Sequence, residues 1–299
     1  MVYIKRRKFI KSLAGTTAYL GLAGLPLEAF SKKDLIQLTI LHSNDTHSHI
    51  DPFPDNDPRN AGQGGAARKA AAIKKIRAEQ ENVLLFDAGD MLQGSPYYNM
   101  YKGELEFKIM SEMGYDGATV GNHEFDNGLE QLVEQLPHAK FPFISSNYDF
   151  TNTPMEGKTI RYKIFDKGGL SIGVFGLGIE LEGLVNKRMY GNTVCNDAVS
   201  TAAEMSFMLK KEKKCDLVVC ISHLGYKYKS KKVSDHIIAK KSKYIDIILG
   251  GHTHSFFDNA LKYKNSDNKE ILIGQAGCYG LRMGRVDYFF EKKSKKKVG

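Results

Sequence analysis

The stretch LTILHSNDTH at residues 38–47 joins an apolar run directly to two side chains that can bind metal. The run Leu38–Leu41 is typical of a buried strand, and Asp45 and His47 follow it on alternate residues. In extended backbone, side chains two positions apart point to the same side, so both could reach one ion. The stretch therefore predicts a strand that ends at a metal site.

Other apolar runs in the chain have the same design. Buried-strand patterns occur at Val83–Phe86, Ala118–Val120, Leu217–Ile221 and Ile245–Leu249. Potential ligands come after them in the same order, namely Asp90, Asn122, His223 and the pair His252 and His254. Because the carboxyl ends of strands in an α/β sheet converge on one crevice, we expect all these side chains to meet. Such a set makes a two-metal hydrolase the leading hypothesis.

The motif GNHEFD at residues 121–126 adds a possible catalytic pair. An asparagine carbonyl is a suitable hard ligand, whereas His123 and Asp126, three residues apart at a helix start, can face each other. A histidine oriented by a carboxylate suits acid catalysis or charge stabilisation. Asp90, which follows Gly89, has two carboxylate oxygens and could bridge two cations.

Helical patterns alternate with the predicted strands. They cover Ala66–Glu79, Glu104–Met113, Asn127–Leu136 and Asp197–Lys213, and a lysine-rich helix is predicted before Ile245. A hairpin is predicted from Arg161–Phe165 and Leu170–Phe175, with later strands at Ile271–Ile273 and Arg285–Phe290. This alternation predicts an α/β fold with an antiparallel component and no second domain boundary.

Composition is ordinary for a soluble globular protein, with 42% hydrophobic and 26% charged residues among 299. The net charge is +9, and lysines cluster at residues 210–214, 227–232 and 292–297. Such clusters can attract nucleic acid, anionic lipid or a phosphorylated substrate. We favour solvated surface as the interpretation and predict no nucleic-acid partner.

Residues 1–31 have the layout of a secretory signal. Basic residues at positions 5–11 precede the Gly/Ala-rich apolar stretch Ser12–Leu27, which is too short to span a bilayer comfortably. The pair Arg6 and Arg7 resembles a bacterial twin-arginine signal, although Lys5 stands where Ser or Thr is usual. The pattern predicts export to the periplasm, with no membrane span in the mature chain. An uncleaved basic anchor is the alternative. The domain prediction is then a catalytic domain at 32–291 and a basic tail at 292–299.

The remaining reactive or aromatic residues are predicted to have structural roles. Cysteines 195, 215, 220 and 278 show no paired spacing, so free thiols are expected and none resembles a nucleophile. Histidines 42, 49, 138 and 236 are interpreted as structural or surface residues. For tyrosines 97, 98 and 101, packing is favoured over a place at the pocket mouth.

The order Asp-x-His, Gly-Asp, Gly-Asn-His-Glu, Ser-His and Gly-His-x-His resembles the calcineurin-like metallophosphoesterases, most closely their 5′-nucleotidase branch. Supporting detail lies in NDTHS at residues 44–48, GAAR at 65–68 and DAGDMLQGS at 87–95. The resemblance extends from about Leu38 to about Asp287. It implies a four-layer α-β-β-α sandwich of two mixed sheets flanked by helices, with a dinuclear metal site at the strand carboxyl ends.

The resemblance also implies a role for each site residue. One metal ion would be bound by Asp45, His47, Asp90 and His254, and the other by Asp90, Asn122, His223 and His252, with Asp90 bridging. His123 and Asp126 would form the catalytic dyad. The two divalent ions could be Zn, Mn, Fe, Co or Mg. Some nucleotidases of the branch have Gln where this chain has His254, and a second imidazole would shift preference toward Zn, Fe or Mn.

The predicted function is an exported phosphohydrolase that releases phosphate from nucleotides or related esters through attack of a metal-bridging hydroxide. Relatives in the branch carry a second, carboxy-terminal domain that grips the nucleoside, and no part of this sequence resembles it. A separate polypeptide could supply that domain. An alternative is hydrolysis of another anionic ester, such as a cyclic nucleotide phosphodiester or a thiosulfonate. A non-enzymatic binding module is disfavoured because no predicted ligand is lost.

Overall fold

A computed structural model describes residues 34–299, so the predicted signal segment at 1–31 lies outside the described residues. The chain divides into two compact units. The larger is Leu38–Val286, and among the described residues the smaller joins 34–37 with Asp287–Gly299. In the smaller unit the last residues fold back, since Val298 N donates to Phe289 O at 2.8 Å and Glu291 N to Lys296 O at 2.8 Å. The domain boundaries at 32–291 and 292–299 remain predictions.

The strands of the described residues are β1 (Leu35–Ser43), β2 (Val83–Asp87), β3 (Gly117–Ala118), β4 (Tyr148–Asp149), β5 (Tyr162–Lys167), β6 (Leu170–Leu177), β7 (Val194–Cys195), β8 (Leu217–Ser222), β9 (Ile247–Gly250), β10 (Leu261–Lys264), β11 (Glu270–Gly274) and β12 (Gly284–Glu291). A four-stranded sheet has the order β12-β1-β2-β3, and a six-stranded sheet has the order β10-β11-β9-β8-β6-β5. Strands β4 and β7 form a small separate pair. In both large sheets the central strands are parallel, so their carboxyl ends share an edge.

The helices of the described residues are α1 (Ala66–Glu79), α2 (Pro96–Tyr101), α3 (Glu104–Met113), α4 (Gly128–Gln135), α5 (Lys187–Tyr190), α6 (Ala198–Phe207) and α7 (Asp235–Lys241). Short 3₁₀ turns occur at His123–Phe125 and Leu136–His138, and a π-helical segment, Met208–Glu212, continues α6. Asp197 caps α6, because its carboxylate accepts from Ser200 N at 2.7 Å. Within residues 34–299, none of the helices has both the length and the apolarity needed to cross a membrane.

Two hydrophobic clusters in the larger unit hold the sheets against the helices. The first joins β1 and β2 to α1, α3 and α4, with Leu85 and Phe107 fully buried. The second joins β6, β8 and β9 to α6 and α7 through side chains such as Phe175 and Val218. The predicted α/β class, with two mixed sheets flanked by helices, is confirmed.

Two predicted strands are shorter in the structure than expected, whereas the others are longer. The strand expected at Ala118–Val120 is β3 at Gly117–Ala118. Thr119 N makes one more hydrogen bond to the neighbouring strand, to Asp87 O at 3.0 Å, and the chain then leaves the sheet. The strand expected at Ile245–Leu249 begins two residues later, at Ile247, where its pairing with β8 and β11 starts. Both shifts leave the predicted ligands just beyond the strand ends.

Candidate active site

The loops that follow β1, β2 and β9 are tied together by hydrogen bonds. Asp45 N donates to Gly89 O at 2.9 Å, and His47 N donates to Asp90 O at 3.1 Å. His252 N reaches the Asp45 carboxylate at 2.9 and 3.0 Å. Residues far apart in the sequence therefore meet at one edge of the parallel strands, as expected for an α/β crevice.

The structure brings the predicted ligands into three overlapping groups, and within each group the candidate ligand atoms lie within 4.8 Å of one another. The groups are Asp45 with His47 and His254, His47 with Asp90 and His123, and Asp90 with His223 and His252. Asn122 joins the last group, because its Oδ1 lies 2.8 Å from His252 Nδ1. Asp90 belongs to two of the groups, which is the position that a bridging carboxylate requires.

Several lone pairs in this cluster converge as they do around cations. His223 Nδ1 donates to Ala88 O at 2.6 Å, so Nε2 is the ring nitrogen that faces Asp90 Oδ2, 2.9 Å away. His47 Nε2 and His254 Nε2 are 3.0 Å apart, and the latter lies 3.3 Å from Asp45 Oδ1. His47 Nδ1 is buried without a hydrogen-bond partner in the described structure. A histidine whose other ring nitrogen donates to a carbonyl is a typical metal ligand, so this donor set fits divalent metal ions.

The pKa shifts in the cluster come from burial and from the neighbouring charged side chains. Burial lowers the pKa of His223, but the effect of the facing Asp90 carboxylate is larger and raises the pKa to about 10. The hydrogen bond with Asp45 raises the pKa of His254 to about 10, whereas burial and the charge of His223 lower that of His252 to about 4. Without a cation, these carboxylates therefore draw protons onto the imidazoles between them. A bound cation would replace those protons.

Backbone conformation is unusual at the same positions. Five of the seven predicted ligands have left-handed backbone, with φ between 47° and 70°, namely Asp45, His47, Asp90, His252 and His254. Such conformations are uncommon for residues other than glycine, and they concentrate at functional sites. Gly121 is also required by packing, because a Cβ there would collide with the Asp90 carboxylate.

His123 and Asp126 are in contact, whereas their role as a catalytic dyad stays a prediction. His123 Nδ1 lies 2.7 Å from Asp126 Oδ2 across the 3₁₀ turn, and the two side chains are 33% and 30% exposed. The hydrogen bond with Asp126 raises the pKa of His123 above its ordinary value. His123 N also donates to Asp90 Oδ1 at 2.8 Å, which fixes the dyad relative to the candidate ligands.

A cavity of about 230 Å³, here called the site pocket, opens beside these residues. It is lined by His47, His123 and His254 together with His49, Gln93, Gly94 and Tyr279. His49 was predicted to be structural and Tyr279 was not predicted at all, yet their ring centroids lie 4.4 Å apart at the pocket wall. No local sequence signal distinguishes either residue, since they approach the pocket from segments 230 residues apart.

Tyrosines 97, 98 and 101 lie outside the lining of the site pocket. Tyr98 is buried, Tyr97 donates to Asp51 at 2.6 Å, and Tyr101 is exposed. All four cysteines are free, as predicted. Burial raises the pKa of Cys195 to about 12, so its thiol is not a nucleophile at neutral pH.

Glu124 is the main site residue that sequence reasoning missed. Its buried carboxylate accepts four backbone N–H groups, from Asp90 at 2.9 Å, Met91 at 2.9 Å, Leu92 at 3.2 Å and Gly121 at 2.6 Å. It therefore joins the loop after β2 to the loop after β3. Its place in GNHEFD was visible in the sequence, but the partners of its side chain were not.

We expect Glu124→Gln to lower the free energy of unfolding by about 2–4 kcal/mol, because an amide offers one oxygen in place of two and leaves buried N–H groups unpaired. Urea denaturation of the metal-free protein measures this change. Glu182→Gln, at an exposed position, is the matched control and should change stability by less than about 0.5 kcal/mol. Equal stability of the two variants would contradict the role given to Glu124.

Comparison with known proteins identifies the family. Residues 38–256 match the family model described as calcineurin-like phosphoesterase. The chain belongs to this family. The family uses two divalent metal ions, and the prediction of a metal-dependent phosphoric ester hydrolase is confirmed at the family level.

Individual relatives point to the 5′-nucleotidase branch. The chain is 32% identical to the 5′-nucleotidase of Rattus norvegicus over 279 residues, covering 86% of this chain and 47% of that protein. It is 32% identical to the trifunctional nucleotide phosphoesterase protein YfkN of Bacillus subtilis, covering 88% of this chain and 19% of that protein. The crystal structure of a 5′-nucleotidase precursor from Thermus thermophilus superposes with a TM-score of 0.78 at 28% identity, covering 88% of this chain and 53% of that one. The chain thus spans about half the length of the 5′-nucleotidases it matches, or less.

Proposed function

We propose that this protein is a phosphohydrolase that releases phosphate from nucleotides or related phosphate esters. The observation that carries the proposal is the overlap of three candidate ligand groups, two of which contain Asp90, directly beside the His123–Asp126 pair. Membership in the calcineurin-like phosphoesterases supports the reaction type, and similarity to 5′-nucleotidases supports the substrate class.

The proposed ligand assignment follows the observed groups. Asp45, His47 and His254 would hold one ion, His223, His252 and Asn122 the other, and Asp90 both. Backbone hydrogen bonds from His252 N and His123 N to the carboxylates of Asp45 and Asp90 hold those carboxylates in place. Bound there, the ions would polarise the phosphoryl oxygens and supply a nucleophilic water near neutral pH.

His123 would act on the leaving group. It lies at the site pocket with Nδ1 bound to Asp126, so its Nε2 is the nitrogen that could give a proton to the ester oxygen. As the P–O bond breaks, that proton would neutralise the departing alkoxide. Asp126 would stabilise the imidazolium before transfer and keep the ring oriented.

Chelation tests the metal requirement. Treatment with EDTA should lower phosphate release from AMP at least about 100-fold, and added Mn²⁺, Zn²⁺ or Co²⁺ should restore it. Phosphate release is measured colorimetrically, with sulfate release from a thiosulfonate assayed in parallel. The proposal fails if no phosphate ester is hydrolysed with any of these ions. Sulfate release without phosphate release would favour a thiosulfonate as the substrate.

Export and a separate substrate-binding partner extend this proposal. The twin-arginine-like pattern at residues 5–11 supports periplasmic export, and replacement of Arg6 and Arg7 by Lys should then retain the protein in the cytoplasm. The match covers 47% of the Rattus norvegicus 5′-nucleotidase, so a second polypeptide over the site pocket would supply the part of such a protein that is not matched. Co-purification from the native host, followed by mass spectrometry, would identify it.

A further inference from the structure

The segment of chain between β8 and β9 lines a second cavity, here called the basic cavity. It has a volume of about 420 Å³ and is lined entirely by residues from 227–241. That volume lies within the usual range for small-molecule sites. The basic cavity shares no lining residue with the site pocket, so it is a separate feature of the surface.

The lining of the basic cavity is positively charged. It includes Lys227, Lys231 and Lys241 but no acidic side chain. Lys227 and Lys231 are exposed, and neither forms an ion pair in the part of the chain that the structure describes. The pKa of Asp197 is lowered mainly by the hydrogen bond from Ser200 N and to a smaller extent by the charge of Lys241, so the charge of Lys241 is partly balanced. Asp235, the only acidic residue of 226–241, is buried and accepts from Ser222 Oγ at 2.5 Å.

The pKa of His236 also indicates a positive electrostatic potential in the basic cavity. It lines the basic cavity, and its pKa is lowered by burial and by the charges of Lys240 and Lys227. Lys232 adds a further cation, with its Nζ 5.1 Å from the centroid of the Tyr228 ring. Cations held this close without counter-charges favour binding of an anion.

Ser234 provides a second, independent observation. It is 1% exposed, lines the basic cavity and precedes α7, yet its side chain does not cap that helix. The described structure shows no side-chain hydrogen bond from Ser234 to that helix. Because Ser234 lines the basic cavity, its hydroxyl is available to a ligand there.

We infer that the basic cavity binds a small anion that carries phosphate groups, at a site distinct from the metal centre. Ammonium and hydroxyl donors in a concave site match the acceptor oxygens of phosphate. The segment that lines the cavity is also bound to the metal loops. Tyr228 Oη donates to Leu224 O at 2.7 Å, and Tyr226 N donates to Thr253 Oγ1 at 3.0 Å. Leu224 and Thr253 adjoin His223, His252 and His254, so an anion in the cavity would act on the loops that carry these histidines.

Pyrophosphate is a suitable probe, used with the full chain after EDTA treatment so that the metal centre does not retain it. Backbone amide shifts measured by ¹⁵N NMR should saturate for residues 227–241. Lys227→Ala/Lys231→Ala should raise the Kd at least about tenfold. Lys211→Ala/Lys213→Ala removes the same charge from another exposed cluster and should change the Kd less than about twofold. Ser234→Ala, which leaves the charge unchanged, should raise the Kd severalfold.

The inference is overturned if no saturable shift occurs, if both lysine pairs have equal effects, or if the shifts map only to the loops around Asp45 and Asp90. Tighter, Lys227-dependent binding of an oligonucleotide or an anionic vesicle would instead assign the lysines to a macromolecular surface. The readout is binding to metal-free protein, so the result is independent of whether the protein hydrolyses nucleotides.

Discussion

Asp90→Asn is expected to lower kcat/KM for AMP at least about 1,000-fold, equivalent to about 4 kcal/mol of transition-state stabilisation. The Asp90 carboxylate belongs to two candidate ligand groups, and an amide cannot bind two cations with equal strength. Elemental analysis should show fewer than two bound ions per chain. Phosphate release from AMP gives the kinetic effect.

The matched control for Asp90 is Asp258→Asn, which removes an exposed carboxylate that pairs with Arg282. It should leave metal content and activity unchanged. Thermal unfolding of both variants separates loss of metal from loss of fold, because asparagine tolerates the left-handed backbone at position 90. Full metal content and activity in Asp90→Asn would refute the bridging role.

His123→Ala is expected to lower kcat for AMP about 100-fold to 10,000-fold while metal content stays unchanged. The loss should be much smaller for p-nitrophenyl phosphate, because its leaving group needs no proton at neutral pH. Asp126→Asn should have the same substrate dependence with a smaller loss, since it removes the group that orients His123. The comparison of the two substrates isolates proton transfer from general damage to the site.

His138→Ala, at a partly exposed position away from the site pocket, is the control for this pair. An equal loss on both substrates would show that His123 stabilises charge and does not donate a proton. Loss of an ion from His123→Ala would instead make His123 a ligand, which its proximity to His47 and Asp90 also permits.

The convergence of the site could be predicted because each candidate ligand directly follows an apolar run. Parallel strands bring such positions together whatever the loops between them contain. Asp45 and His223 illustrate this, since 178 residues separate them in sequence yet His223 Nε2 lies 4.0 Å from Asp45 Oδ1. The His123–Asp126 contact was predictable for a similar reason, because one helical turn fixes their spacing.

The interactions that support the site could not be predicted from the same patterns. Glu124 resembles an ordinary acidic residue at a helix start, and only the folded loops show that it accepts N–H groups from residues 90–92. The walls of the site pocket were missed because His49 and Tyr279 belong to no periodic pattern. The π-helical end of α6 was missed as well, since hydrophobic spacing does not distinguish it from an α-helix.

The left-handed backbone at five of the seven proposed ligands restricts which amino acids can serve there. Aspartate, asparagine, histidine and glycine tolerate this conformation best, whereas β-branched and bulky side chains do not. Attempts to re-engineer the site for a softer metal therefore face a conformational restriction as well as a chemical one. The backbone at these positions should accept exchanges between Asp, Asn and His without refolding, even where metal binding changes, and any other donor would first require the loop itself to be rebuilt.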